Sequence, residues 1–266
     1  MKVFALDKYL KQGVEYTTPV NIAYIIRKIG TNSSTGAKLN INGVDLGTID
    51  SDVAPLHRTS SNLLGPLDLE DLYYVVPPKT KFKVEGASGD IIRVIGEILV
   101  LDYGEKLPEP HASRFDAQGK AYKTLIDGKY SHGTDVAWAA GDENEVLSLT
   151  PLTTEKYVLD GFIGAKVEGD TVNEGDFALT FYLDNIPLEL DVAENLGVGV
   201  DVKSMPLPPA DASEELPFLL KQFPIEVLGD HTLSIRCINI SGASKSPASG
   251  KSWTVTVKAV ARYFKG

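Results

Sequence analysis

Near the C-terminus, Gly250, Lys251 and Ser252 spell the end of a phosphate-binding loop. Such a loop cradles phosphate oxygens on backbone N–H groups, needs a glycine five positions before its Gly-Lys-Ser trio, and opens a helix whose N-terminus faces the anion. Lys245 holds the place of that glycine, and the residues after Ser252 alternate apolar and polar like a strand. The stretch therefore reads as a long exposed hairpin loop. Loops carry variable recognition, so Ser244, Lys245 and Lys251 are candidate contact residues. Trp138 and Tyr130 join them as aromatics able to present a contact face, as does Tyr122, although aromatics at this density usually fill cores.

Other chemistry-bearing residues form no converging pattern. His57, His111, His132 and His231 lack the i, i+4 or H-x-H spacing that puts two imidazoles on one metal. The acidic groups Asp68, Glu70, Asp71 and Asp142, Glu143, Glu145 lack the regular oxygen-ligand spacing of a calcium loop and read as solvated charge. Cys237 stands alone inside the strand-like run HTLSIRCINI, which excludes an internal disulfide framework and suits a small buried hydrophobe. No G-x-S-x-G elbow occurs, so covalent catalysis has no support. The triplets Asn32-Ser33-Ser34 and Asn239-Ile240-Ser241 matter only in a secretory pathway, and the N-terminus shows no leader pattern. The expectation is a protein that is not an enzyme and has no cofactor or metal.

The elements that must position these residues are mostly strands. Over SWTVTVKAVARYF, Trp253, Val255, Val257, Ala259, Ala261 and Tyr263 share one face. Similar runs recur at VNIAYIIRKI, AKLNINGVDLG, TKFKVEG, IIRVIGEILVL, EKYVLDGFIGAKV and DFALTFYLDNIPLEL, separated by Gly, Pro, Asn and Asp. Only LLGPLDLEDLYY and ADASEELPFLLKQF could hold helical turns. The fold class is all-β, as sandwiches or barrels.

The two halves also overlay with apolar positions in phase. YIIRKI from Tyr24 matches FIGAKV from Phe162 at an offset of 138, and AKLNINGVDL from Ala37 matches LTFYLDNIPL from Leu179 at 142. The run from Pro66 matches that from Pro217 at 151, and IRVIGEILV from Ile92 matches WTVTVKAVA from Trp253 at 161. Offsets that only grow, with the extra residues in turns, are the mark of loop insertions in a duplicated sandwich. The expected organisation is an N-terminal arm over 1–13, a first β-sandwich over 14–104, an ordered connection over 105–151 with a tight hairpin at Asp127-Gly128, and a second β-sandwich over 152–266.

Two jelly-roll-like sandwiches in tandem, joined by a structured segment, resemble the double jelly-roll major capsid proteins of icosahedral viruses. The resemblance is architectural, and five to seven strands are identifiable per half where a jelly roll needs eight. It implies a virion structural protein, a homotrimer within a larger assembly, possible contacts with other virion proteins, an arm reaching neighbours, and synthesis in the host cytoplasm without a signal peptide. Independently, 26 basic against 36 acidic residues give a net charge of −10, which disfavours direct nucleic-acid binding. No 18-residue apolar run marks a transmembrane segment. The alternative is a tandem sandwich that binds carbohydrate or serves as an adhesin-like or phage tail or baseplate surface protein.

Overall fold

A computed structural model of the chain describes residues 1–59, 64–162, 166–173, 175–188, 205–206, 218–219 and 224–266. It forms two units, one of Met1–Leu125 with Val260–Gly266 and one of Ile126–Ala259. Among the described residues, no helix is long and apolar enough to cross a membrane.

The first unit carries β1 (Lys2–Lys11), β2 (Glu15–Thr17), β3 (Ile22–Thr31), β4 (Ala37–Ile41), β5 (Val44–Ile49), β6 (Leu67–Asp68), β7 (Tyr74–Val76), β8 (Lys81–Glu85) and β9 (Ile91–Val100), followed by helix α1 (His111–Ala117). β6 and β7 flank a 3₁₀ turn at Glu70–Leu72, both pair with β3, and so fill one place in the sheet. Counted this way there are eight strand positions, ordered 1-8-3-6 in one sheet and 2-7-4-5 in the other. A long antiparallel hairpin pairs 1 with 8, 2 with 7, 3 with 6 and 4 with 5. Rolling it so that 8 meets 3 and 7 meets 4 gives this order, which is a jelly roll.

A second jelly roll repeats it, with all but the outer residues of its first and last strands in the second unit. Its strands are β10 (Ala121–Ser131), β11 (Glu143–Leu149), β12 (Glu155–Phe162), β13 (Lys166–Glu168), β14 (Phe177–Leu183), β15 (Ile186–Pro187), β16 (Met205–Pro206), β17 (Phe218–Leu219), β18 (Ile225–Leu228), β19 (Leu233–Asn239) and β20 (Thr254–Lys265). One sheet runs β10-β20-β12 and then β17 or β18, and the other runs β11-β19-β14-β15. By position these are again 1-8-3-6 and 2-7-4-5. The strand shortfall expected from sequence is thus corrected: each unit supplies all eight positions, several through strands of two or three residues too short to show alternation.

The register follows the sequence offsets. Ile29 opposes Val94 in the first unit, and Val167 opposes Val255 in the second, displaced by 138 and 161. Leu39 opposes Val84, and Phe181 opposes Ile235, displaced by 142 and 151. One pairing departs. Tyr24 opposes Val76, but its counterpart opposite Val227 is Tyr157, an offset of 133, so position 3 of the second unit gained residues partway along its length.

Alternation explains the cores. Trp253, Val255, Val257, Ala259, Ala261 and Tyr263 are all buried, as their shared face requires; the first four lie in the second unit with the buried Trp138, Phe177, Leu179, Phe181 and Ile235, and the last two in the first unit. Leu10, Ile25, Leu39, Phe82, Val84 and Ile92 lie at the centre of the first core. Each such side chain contributes roughly 1.5–3 kcal/mol on burial.

Three expected features differ. Residues 2–11, expected as an arm, form β1 and pair along their whole length with β9, with Leu6 and Leu10 buried; Asp7 and Lys8 disguise the strand. No tight turn occurs at Asp127-Gly128, because β10 runs straight through both. Gly128 serves close approach instead: a Cβ there would lie 2.5 Å from the Val146 carbonyl oxygen. Residues 121–131 and 143–149, expected in a connection, are positions 1 and 2 of the second jelly roll. The helical reading of 210–223 lies largely outside the described residues, which there hold only Phe218–Leu219, a strand.

Candidate contact surface

The candidate residues lie in or beneath two loops of the second unit, residues 132–142 between β10 and β11 and residues 240–253 between β19 and β20. The first loop turns inward at Trp138, which is fully buried while its neighbours on both sides are exposed. The indole N–H donates to the Asp142 carbonyl at 2.9 Å. The ring stacks on His132 with centroids 4.6 Å apart, and Tyr130 meets it edge-on at 5.7 Å. Tyr130 donates to Asn144 Oδ1 at 2.9 Å and sits 3.2 Å from His132 Nδ1. Burial raises the Tyr130 pKa, because the phenolate would be poorly solvated there.

The second loop is held by carboxylates that the sequence did not single out. Trp138 and Lys245 exchange two main-chain hydrogen bonds, of 2.7 and 3.0 Å. The Lys245 ammonium lies 2.5 Å from Asp176, whose carboxylate also accepts the Asn173 N–H at 2.7 Å. Asp170 accepts the Ala248 N–H at 2.5 Å and lies 3.7 Å from the Lys251 ammonium. Backbone hydrogen bonds from Ala248 and Thr171 hold its carboxyl below the usual carboxylate range. Asp135 accepts the Gly250 N–H at 2.6 Å, and Asn239 bridges the carbonyls of Trp138 and Ala243.

This geometry disposes of the phosphate-loop resemblance. The Gly250 N–H is already donated to Asp135, and Ser252 leads directly into β20 rather than a helix. Ser244 and Lys251 are exposed, whereas Lys245 is partly covered and ion-paired. Trp138 is a correction as a contact residue. It is the buried post on which the loop rests, and Tyr130 supports it from the side. The signal for Asp135, Asp170 and Asp176 was their place one or two residues after glycine in HGTD, EGD and EGD, where a carboxylate can accept from neighbouring turns.

The remaining candidates disperse. Asp68 accepts the Glu70 N–H and pairs with Lys28, while Glu70 pairs with the buried Lys123. Tyr182 donates to Glu143, and Ser234 to Glu145. His111 lies 3.1 Å from the Tyr73 hydroxyl, and His231 lies 2.6 Å from Asp184. Cys237 is buried and its thiol pKa is pushed up by desolvation, which disfavours the thiolate. Among the described residues, no group of three or more His, Cys, Asp or Glu side chains is placed to hold a metal ion.

Comparisons with protein families and with curated proteins give no match. Among solved structures, the chain is similar to the STIV MCP at 10% identity and a TM-score of 0.38, over 98% of this chain and 97% of that one. It is similar to the major capsid protein P2 from bacteriophage PM2 at 10% identity and a TM-score of 0.28, over 96% and 97% of the respective chains. It is also similar to the ANX2 ectodomain from Arabidopsis thaliana at 8% identity and a TM-score of 0.29, over 98% and 83%. The solved structures it is similar to thus include a bacteriophage major capsid protein.

Proposed function

We propose that the chain is a virion structural protein, a double jelly-roll major capsid protein that builds a shell by self-association with a homotrimer as its unit. The observation that carries this reading is the identical eight-position strand order in both units. Three chains of this kind supply six similar units, the number that a near-hexagonal tile needs, and closed cyclic symmetry is the ordinary way identical chains associate. The exposed part of the 240–252 loop, with Ser244 and Lys251, serves as a contact surface held in shape by Asp135, Asp170 and Asp176. This reading assigns the chain no reaction.

At a net charge of −10 the copies repel, so association strengthens as salt screens them. Light scattering of the purified protein across concentration and salt, with imaging of large species, tests the reading. The expected result is a discrete species of three copies, growing into closed particles as salt rises. A monomer that persists at high concentration and high salt overturns it, and a glycan screen would then test the carbohydrate-binding alternative.

A further inference from the structure

β1 is the outermost strand of its sheet, paired with β9 on one side only among the described residues. Gln12 donates its N–H to the Asp90 carbonyl, whereas the Lys11 N–H turns the other way to the Tyr16 hydroxyl. By the two-residue period of a strand, the even-numbered residues of β1 bond to β9, and Val3, Ala5, Asp7 and Tyr9 direct their N–H and C=O groups off the sheet. A ten-residue edge of this kind is a template for another strand. The edge is also apolar: Val3 is 53% exposed, Phe4 54% and Tyr9 50%.

We infer that β1 pairs antiparallel with β1 of a second copy of this chain across a two-fold axis at Leu6, joining two sheets into one. The charges on β1 select that register. Residues opposed in a continuous antiparallel sheet point to the same face, so the numbers of each opposed pair must sum to an even value. A sum of 10 sets Lys2 against Lys8 of the second copy, 14 sets Asp7 against Asp7, and 16 sets Lys8 against Lys8. A sum of 12 opposes no like charges and gives the longest ladder, since Tyr16 already occupies the Lys11 N–H. Val3 then faces Tyr9, Phe4 faces Lys8, Ala5 faces Asp7, and Leu6 faces Leu6. The outward-facing pairs exchange about eight main-chain hydrogen bonds.

Lysines on an edge strand normally repel other strands. Here they exclude the registers summing to 10 and 16, while the register summing to 14 loses bonds at Lys11, whose N–H Tyr16 holds, and this one is left open. Asp7 is held by Arg93 through contacts of 2.8 and 2.9 Å, so its charge is compensated within its own copy. The inference stands on β1 alone and does not depend on the capsid reading.

Ala5→Pro is the test, because it removes an outward N–H and spares the ladder to β9, the one setting in which a strand tolerates proline. The full chain is expected to show a twofold step in mass with concentration, over whatever unit it forms, and Ala5→Pro to lack that step with unchanged circular dichroism. A twofold step retained in Ala5→Pro overturns the inference. Loss of a threefold species with the twofold step intact would sink only the trimer. If Ala5→Pro alters folding, mixing Phe4→Cys with Lys8→Cys protein under mild oxidation decides. A disulfide between the two variants, exceeding that formed by either alone, supports the register, and its absence overturns it.

Discussion

The imidazole of His132 lies flat on the indole of Trp138, with centroids 4.6 Å apart and planes 17° from parallel. Phe177 and Trp253 complete the cluster, 5.0 Å from Trp138 and 6.4 Å from His132 respectively. Trp138→Ala should cost about 3–5 kcal/mol in urea unfolding, the range for truncating a buried aromatic. Amide exchange within 240–252 should rise at the same time, since the loop is bonded to this residue's backbone.

Acid should loosen the same loop. The Asp170 carboxyl is depressed by the Ala248 and Thr171 N–H groups, so its folded-state pKa lies below the unfolded value. For such a group the stabilisation is present above the unfolded pKa and is lost as pH falls through the folded one. Protection of the Ala248 amide, relative to its intrinsic exchange, should therefore fall below about pH 4, in the carboxylate range. Asp170→Asn should exchange quickly at every pH, and a wild-type profile flat down to pH 2 would count against this account.

Leu10→Ala should destabilise the first unit by about 2–5 kcal/mol, because the side chain is fully buried on an edge strand. Removal of residues 1–13 should do more, by taking away an entire sheet strand and exposing the core-facing side of β9. Thermal melting followed by circular dichroism would show the first transition lowered or absent, where a dispensable arm would leave it unmoved.

Gly128→Ala should cost roughly 1–3 kcal/mol as an overpacked contact, because the added Cβ meets backbone at Val146 and the side chain of Leu147. Gly250→Ala has open space around its Cβ but a φ of +77°, so about 1 kcal/mol of backbone strain is expected there instead. Comparing the two denaturation midpoints separates steric from conformational cost.

What could be read in the sequence was whatever alternation and spacing encode. The buried face from Trp253 to Tyr263 was visible there, as were the offsets that match Ile29 with Val167 and Val94 with Val255, two pairs of positions that the sheets then set opposite each other. Strands such as Leu67–Asp68 and Ile186–Pro187 were not, since two residues carry no period and pair only because longer neighbours hold them. β1 was hidden by its charges, and the continuity of β10 by an Asp-Gly step that suits a turn equally well. At the candidate surface, Ser244 and Lys251 are exposed as expected of a loop. The carboxylates that shape the loop come from segments distant in sequence, a relation that no local pattern records.

The chain leaves the first unit within β10 and returns to it within β20, so residues 1 and 266 belong to the same unit. Mechanically, the second unit is then shielded. Tension applied between residues 1 and 266 falls on the first unit, and reaches the second only after residues 260–266 have been stripped away. Pulled between residues 1 and 266, the chain should lengthen in two nearly equal events in a fixed order, with the inserted unit always last to yield.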